Sequence, residues 1–302
     1  MNKAVADVAT AIARGRRQRQ EDAVIADFAE GADSGFAVLS DGMGGHDDGD
    51  LASRIIVSEV FGTFSVSSRS QTSGHDDIGA RLRNAVLTAN QSLRDQVDAG
   101  FGQEGMGGTV VTAVVQNDNL RWISIGDSGL YLFRSNILSR LNEIHSMAPQ
   151  IDLMVRNGMM NEETARNHPD RSCLTSALVG AEIQRIDCPA DPFKLEFGDI
   201  VLMASDGLEV LSEDQLHSIL CANQSRSSQQ IAHALMDAVA LKDAPEQDNV
   251  SIVVIKPQMA TVARDGWIKA HPDNATPWAR FRGGFESLRD KIALPFTGRS
   301  AP

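Results

Sequence analysis

Two stretches far apart in this chain share one local form. Residues 36–39 (Phe-Ala-Val-Leu) and 201–204 (Val-Leu-Met-Ala) are short apolar runs. Each closes on the same triplet, Ser40-Asp41-Gly42 in the first and Ser205-Asp206-Gly207 in the second. A short apolar run stopped by glycine reads as a buried strand. A carboxylate at the end of such a strand projects from a rigid support. Two equivalent corners call for two neighbouring strands whose ends converge, with acid at the meeting point. Asp22, just before the run 23–28, and Asp248, just before 250–255, stand in comparable positions. A single Asp beside a strand is commonly a turn residue; four at the ends of apolar runs suggest a shared site.

The remaining pattern suits such a core. Residues 4–12 read as a strand and 51–64 as a helix, followed by a Ser-rich loop over 65–74. Ile78, Leu82, Val86, Ala89, Leu93 and Val97 are spaced 4, 4, 3, 4 and 4, one face of an α-helix. Strands 109–115 and 120–125 flank Asn117-Asp118-Asn119 as a hairpin, and 129–133 adds another strand. Short helices are expected at 146–157 and 161–167, broken at Gly158, and strands at 193–197 and 200–204 around Gly198-Asp199. Ser212-Glu213-Asp214-Gln215 is a capping box opening a helix to 223. A second amphipathic helix, with Ile231, Leu235 and Val239 on one face, spans 227–241. Strict strand–helix alternation is absent. The expected class is therefore α+β, antiparallel sheets with helices segregated to the outside.

Composition excludes several functions. In 302 residues, 42% are hydrophobic, enough for a substantial core. No apolar run approaches the ~18 residues of a membrane span, and the first residues lack the apolar stretch of a signal peptide. A formal net charge of −12 argues against nucleic acid as the main partner. Three cysteines without CxxC spacing argue against a structural zinc site and for a reducing compartment, so a cytoplasmic location is expected. Convergent carboxylates repel one another unless a cation joins them, and an oxygen-only ligand set suits Mg²⁺ or Mn²⁺ rather than Zn²⁺.

Further motifs lie in a fixed order: Arg17…Glu21-Asp22; Asp41-Gly42-Met43-Gly44-Gly45-His46; Gly105-Met106-Gly107-Gly108-Thr109; Gly126-Asp127-Ser128; His145-Ser146; His168-Pro169; Leu174-Thr175-Ser176-Ala177-Leu178; Ser205-Asp206-Gly207-Leu208; Asp248-Asn249. In that order they resemble the metal-dependent Ser/Thr protein phosphatases of type 2C, particularly the compact bacterial ones, over residues 5–256. The resemblance implies a four-layer α/β/β/α sandwich, two antiparallel sheets face to face with outer helices. It also implies two Mn²⁺ or Mg²⁺ ions per chain at one edge, with a third, weaker site.

By motif position, Asp41 should bridge both metals and the Gly42 carbonyl should ligate one. Asp206 and Asp248 should hold the other, with Asp22 acting directly or through water. Asp127 matches the ligand of the third metal, and Glu21 and Asn249 adjoin the ligands as supports. Arg17 matches the phosphate-binding arginine; alternation along an extended segment leaves Arg19 open by position alone. His46 should donate a proton to the leaving Ser or Thr oxygen. The implied reaction is direct hydrolysis of phosphoserine or phosphothreonine by water activated between the metals, without a phosphoenzyme. The substrate would be a phosphoprotein made by a cognate Ser/Thr kinase. Two alternatives share the fold: a catalytically weak domain that binds a phosphoprotein or kinase as a regulator, and a phosphatase of small molecules. A cysteine nucleophile is disfavoured, because Cys221 and Arg226 fall one residue short of Cys-x5-Arg. No P-loop, HExxH or GxSxG pattern is present.

Some positions depart from that pattern. Gly129 stands where an arginine is common, so a contact is expected to be missing; Gly108 replaces a frequent threonine and Asp50 a glutamate. Glu143-Ile144 lacks the usual acid before His145. Segment 145–169 carries Met147, Met154, Met159 and Met160, which suit either packing or an adaptable substrate surface. Residues 1–256 are expected to form the catalytic domain and 257–302 a distinct tail with seven basic and four acidic residues. Trp267, Trp278, Phe281 and Phe285 lie in that tail, with a short helix expected over 286–294. The tail would fold back on the acidic domain, dock to a partner or anionic surface, or stay disordered.

Overall fold

The structure, a computed structural model, describes residues 4–28, 34–44, 48–67, 77–116 and 118–259. In chain order its strands are β1 (Ala4–Ala13), β2 (Asp22–Asp27), β3 (Ser34–Met43), β4 (Gly107–Gly108), β5 (Val110–Gln116), β6 (Asn119–Ile125), β7 (Gly129–Arg134), β8 (Ile137–Arg140), β9 (Phe193–Lys194), β10 (Ile200–Ala204) and β11 (Val250–Met259). Its helices are α1 (Asp48–Ser67), α2 (Ile78–Asp98), α3 (Ala148–Arg156), α4 (Glu162–Arg166), α5 (Glu213–Asn223) and α6 (Ser228–Lys242). A 3-10 turn, Asp206–Val210, follows β10.

One sheet runs β1-β11-β10-β7-β8 and the other β2-β3-β5-β6-β9, with β4 attached to β3. Each pairing is antiparallel. Three apolar clusters mark three interfaces. Phe36 and Val38 of β3 pack with α1 and α2, while Ala37 and Leu39 pack with Val201, Met203 and Val253 of the other sheet. Ile200 and Leu202 of β10 turn the opposite way, onto α5 and α6. Strands covered on both faces need an apolar residue at every position, which is why these segments read as continuous runs rather than alternations. The result is the four-layer sandwich, helices outside. Each fully buried Val, Leu, Ile, Phe or Met side chain contributes roughly 1.5–3 kcal/mol.

Local signals behave as their chemistry requires. Ile78, Leu82, Val86, Ala89 and Leu93 form the buried stripe of α2, with Val97 packed beside them. The Ser212 hydroxyl accepts from the Gln215 amide and the Gln215 side chain from the Ser212 amide, so the capping box is closed. Ser227 and Gln230 repeat it at α6. β3 extends beyond the apolar run through Asp41 to Met43, so the acid belongs to the strand itself. The strand expected at 193–197 is only Phe193–Lys194, while β8 and the 3-10 turn were not expected. β11 continues to Met259, paired with β1 up to Ala4, and so passes the 256/257 boundary. Residues 65–67 of the expected Ser-rich loop end α1; His46, residues 68–74 of that loop, and the tail from 260 with its expected helix lie outside the described residues. Among the described residues no helix is long and apolar enough to cross a membrane.

Candidate active site

The register of β2 on β3 sets Asp22 directly opposite Asp41. Asp22 is 4% exposed, and its Oδ2 accepts from the Ser205 hydroxyl at 2.8 Å. Ser205 Oγ in turn accepts from the Ser251 amide at 2.9 Å. Ser205 and Ser251 belong to the other sheet's corner, so this chain of bonds joins the ends of both sheets. The serine before Asp206 is thus structural. It turns β10 toward Asp22 and starts the 3-10 turn that carries Asp206.

Close approach explains the glycines. A Cβ on Gly42 would lie 2.0 Å from the Gly49 carbonyl oxygen and 2.6 Å from that of Glu21, and the Gly42 amide donates to Glu21 O at 3.0 Å. A Cβ on Gly207 would fall 1.9 Å from Asn249 O, which is how tightly the Asp206 and Asp248 corners abut. At Gly108 a Cβ would sit 2.7 Å from Asp41 O and 3.0 Å from Ile56 Cδ1, so the larger residue expected there would collide with the strand that carries Asp41.

Asn249, 3% exposed, organises the arginine loop. Its Nδ2 donates to Arg14 O at 2.8 Å and Arg19 O at 2.9 Å, and its Oδ1 accepts from the Glu21 amide at 2.6 Å. The loop so pinned presents Arg17, whose Nη2 donates to Asp248 Oδ2 at 2.6 Å while its side chain remains 55% exposed. Arg16 turns away to pair with Asp243. Arg17 lines the cleft and Arg19 does not, which separates the two candidates that alternation left open.

That cleft has a volume of about 620 Å³ and is walled by Asp41, Asp127, Asp206 and Asp248 on one side and residues 172–177 on the other. Asp127 sits in the corner between β6 and β7. Thr109 links this corner to Asp41. Its Oγ1 accepts from the Asp41 amide at 3.1 Å and lies 2.7 Å from Ser128 Oγ, and its amide donates to Asp41 O at 2.8 Å. Buried His145 accepts from the Gly126 amide through Nδ1 at 3.2 Å, and burial lowers its pKa. Glu143, in place of the usual acid beside it, brings Oε2 to 3.5 Å from His145 Nε2.

The carboxylates raise one another. Burial, then Asp206 and Asp22, holds Asp41 well above the usual range. Burial pushes Asp22 up to about 7 against the Ser205 hydroxyl, and burial with Asp206 and Glu209 pushes Asp127 up to about 7. Asp206 is raised by burial and by Asp248, and relieved by a hydrogen bond from Asp41. Glu21 is raised by burial, against the pull of Arg17. Oδ1 of Asp22 and Oδ1 of Asp206 are buried without a hydrogen-bond partner. Among the described residues no three His, Cys, Asp or Glu side chains are drawn around a single point. The donor set still fits a hard dication: all oxygen, buried, two acceptors unmet, and mutual repulsion that a cation would remove.

Asp22, Asp41, Gly42, Asp206, Asp248, Asp127, Arg17, Glu21 and Asn249 thus come to one corner. Thr109, Ser205, Ser128 and Glu209 were not foreseen. Ser205 carried a signal, a hydroxyl repeated before both Asp-Gly pairs; Thr109 and Glu209 depend on packing between distant segments.

The sequence profile of the family described as Protein phosphatase 2C matches residues 12–240. The serine/threonine phosphatase stp of Listeria welshimeri is 27% identical over 231 residues, covering 76% of this chain and 87% of the relative. The serine/threonine protein phosphatase PstP of Mycobacterium tuberculosis is 29% identical over 238 residues, 79% of this chain and 42% of its own length. A crystal structure of a PstP catalytic domain with two manganese ions superposes with a TM-score of 0.66 at 27% identity, covering 84% of this chain and 99% of that one.

Proposed function

Because this chain belongs to the protein phosphatase 2C family, we propose that it hydrolyses phosphoserine and phosphothreonine in proteins at the carboxylate corner. The observation that carries this reading is the convergence of Asp22, Asp41, Asp206 and Asp248, two of them directly opposed across β2 and β3, beside the exposed fork of Arg17.

In this reading Asp41 would serve both metal positions and the Gly42 carbonyl one of them, Asp206 and Asp248 would serve the other, and Asp22 would act directly or through water. Asp127 serves a third, weaker position. A pair of Mn²⁺ or Mg²⁺ ions bound there would supply charge for the phosphoryl oxygens and lower the pKa of a water from 15.7 toward about 7. The chain's own residues do the rest. Arg17 swings its guanidinium onto two non-bridging phosphate oxygens, a geometry its planar fork matches. Asn249 fixes the loop on which Arg17 stands. Asp41 and Asp206 hold the attacking water in line with the Ser or Thr leaving oxygen, and His46 supplies that oxygen with a proton. In this reading water is the nucleophile and no phosphoenzyme forms.

A Ser/Thr kinase is the implied source of substrate, and the free thiols of Cys173, Cys188 and Cys221 suit a cytoplasmic setting. The test is phosphate release from a phosphothreonine peptide with Mn²⁺, Mg²⁺, Ca²⁺ or EDTA. Release in Mn²⁺ that EDTA abolishes is expected. Binding of the peptide without release in Mn²⁺ would replace this reading with that of a phosphoprotein-binding regulator.

A further inference from the structure

Position 129 was expected to leave the Asp127 corner without an arginine contact. Gly129 has no room for a side chain: a Cβ there would lie 2.2 Å from Cε2 of Tyr131. The cation comes instead from β8. Arg140 crosses the Tyr131 ring, its guanidinium carbon 5.4 Å from the ring centroid. Its Nη2 donates to the carbonyl of Asp127 and, at 3.3 Å, to that of Ser128. Its Nε donates to Asn142 Oδ1 at 3.2 Å. Asn142 closes the arrangement, donating to Ser128 O at 2.9 Å and accepting from the Leu130 amide at 2.8 Å. The Arg140 side chain is only 16% exposed, and its Nη1 lies 4.0 Å from Glu209.

Two successive carbonyls gripped by one planar group fix the peptide plane between them, and with it the direction in which Asp127 leaves the backbone. Nη2 alone reaches both carbonyls while Nε of the same plane holds Asn142, a span that the single nitrogen of an ammonium could not cover. Arg171, the other cation beside Glu209, is committed to Asp152 at 2.6 Å. Arg140 is therefore the cation in direct hydrogen-bond contact with the Asp127 corner, with Glu209 4.0 Å from it.

We infer that Arg140, backed by Asn142, is the positioning residue that aims Asp127 at the carboxylate corner and so sets the affinity of the weakest cation site there. This rests on the reading of Asp127 as a cation ligand. Groups that orient metal ligands typically change affinity about 10–100-fold when removed.

The test is equilibrium dialysis of the full chain against Mn²⁺ for wild type, R140M, R140K, D127N and D127N/R140M, with melting temperatures measured alongside. R140M should weaken the weakest class of bound Mn²⁺ by about 10–100-fold and leave tighter binding unchanged. R140K, which keeps the charge but loses the fork, should recover only part of that loss and carries the test if R140M fails to fold. The double variant should bind no more weakly than D127N. If D127N loses the weak class while R140M and R140K retain it, the inference fails and the reading of Asp127 stands. If D127N binds as wild type while R140M does not, the arginine acts elsewhere and the inference fails. If neither changes binding, both fail.

Discussion

On one side of the cleft the polar groups stand on strand ends and are tied together across both sheets: Asp22 to Ser205, Asp41 to Thr109, Asn249 to the loop that presents Arg17. The opposite wall is built differently. It is joined through isolated bridges, Ser146 to Leu174 and Gly108 to Leu178, through the Met147 amide to Cys173 O at 3.0 Å and the Thr175 amide to His145 O at 2.8 Å, and through Ser176 Oγ to Arg185 O at 2.8 Å. Of α3 only Ile151 is buried. Leu153 is 53% exposed and Met159 73%. Met154 and Met159 therefore do not pack in the core, and neither lines the cleft. The geometry of charge is thus over-determined on one side, while the segments on the other carry exposed side chains with fewer ties.

That contrast can be broken by mutation. The largest effect is expected for Asp206→Asn. It removes an oxygen of the proposed cation site without touching the core, so kcat should fall by about 10³-fold or more while the cation-free melting temperature is unchanged or rises. Near-normal turnover in saturating Mn²⁺ would equate the two sides.

The second effect is on stability. Asp22 and Asp127, each raised to about 7, hold protons in the fold that the unfolded chain releases near its ordinary carboxylate range. Their contribution is complete below about pH 4 and is lost as pH rises through about 7, each pKa unit being worth about 1.4 kcal/mol. Calorimetry in EDTA should show a lower melting temperature at about pH 7.5 than at about pH 5, and Mn²⁺ should abolish that order. A cation-free protein that is more stable at the higher pH would contradict the charge account.

Next comes Asn249→Ala, which strands the Arg14 and Arg19 carbonyls and the Glu21 amide. It should cost about 2–3 kcal/mol in urea unfolding and raise KM more than it lowers kcat, because Arg17 loses its mount. The smallest effect is expected on the exposed segment after α3, outside the cleft. Met159→Ser should move stability by less than about 0.5 kcal/mol and leave turnover of a small phosphate ester unchanged, altering only KM for a phosphoprotein. A large loss on both substrates would show that this segment is as constrained as the corner.

The two sides also differed in how far they could be read from sequence. The aspartates were legible because apolar runs ended on Ser-Asp-Gly, a local signal. That Asp22 would face Asp41 was not, because strand register between separate runs is a long-range property. β8 escaped notice since its four residues alternate between exposed and half-buried at a sheet edge, with no apolar run to mark them. Arg140 escaped with it: sequence showed an arginine missing at position 129, and only folding brings one from the next strand. Gly108 was legible as a departure but not as a necessity, since its neighbour is the Asp41 carbonyl.

The central claim is that these carboxylates share cations. Diffraction from crystals grown with Mn²⁺, collected at the manganese absorption edge, tests it most directly. The account predicts two strong anomalous peaks about 3.5–4 Å apart, both within coordination reach of Asp41, with Asp206 and Asp248 on one of them. An empty corner at saturating Mn²⁺, or peaks on another face of the molecule, would contradict it.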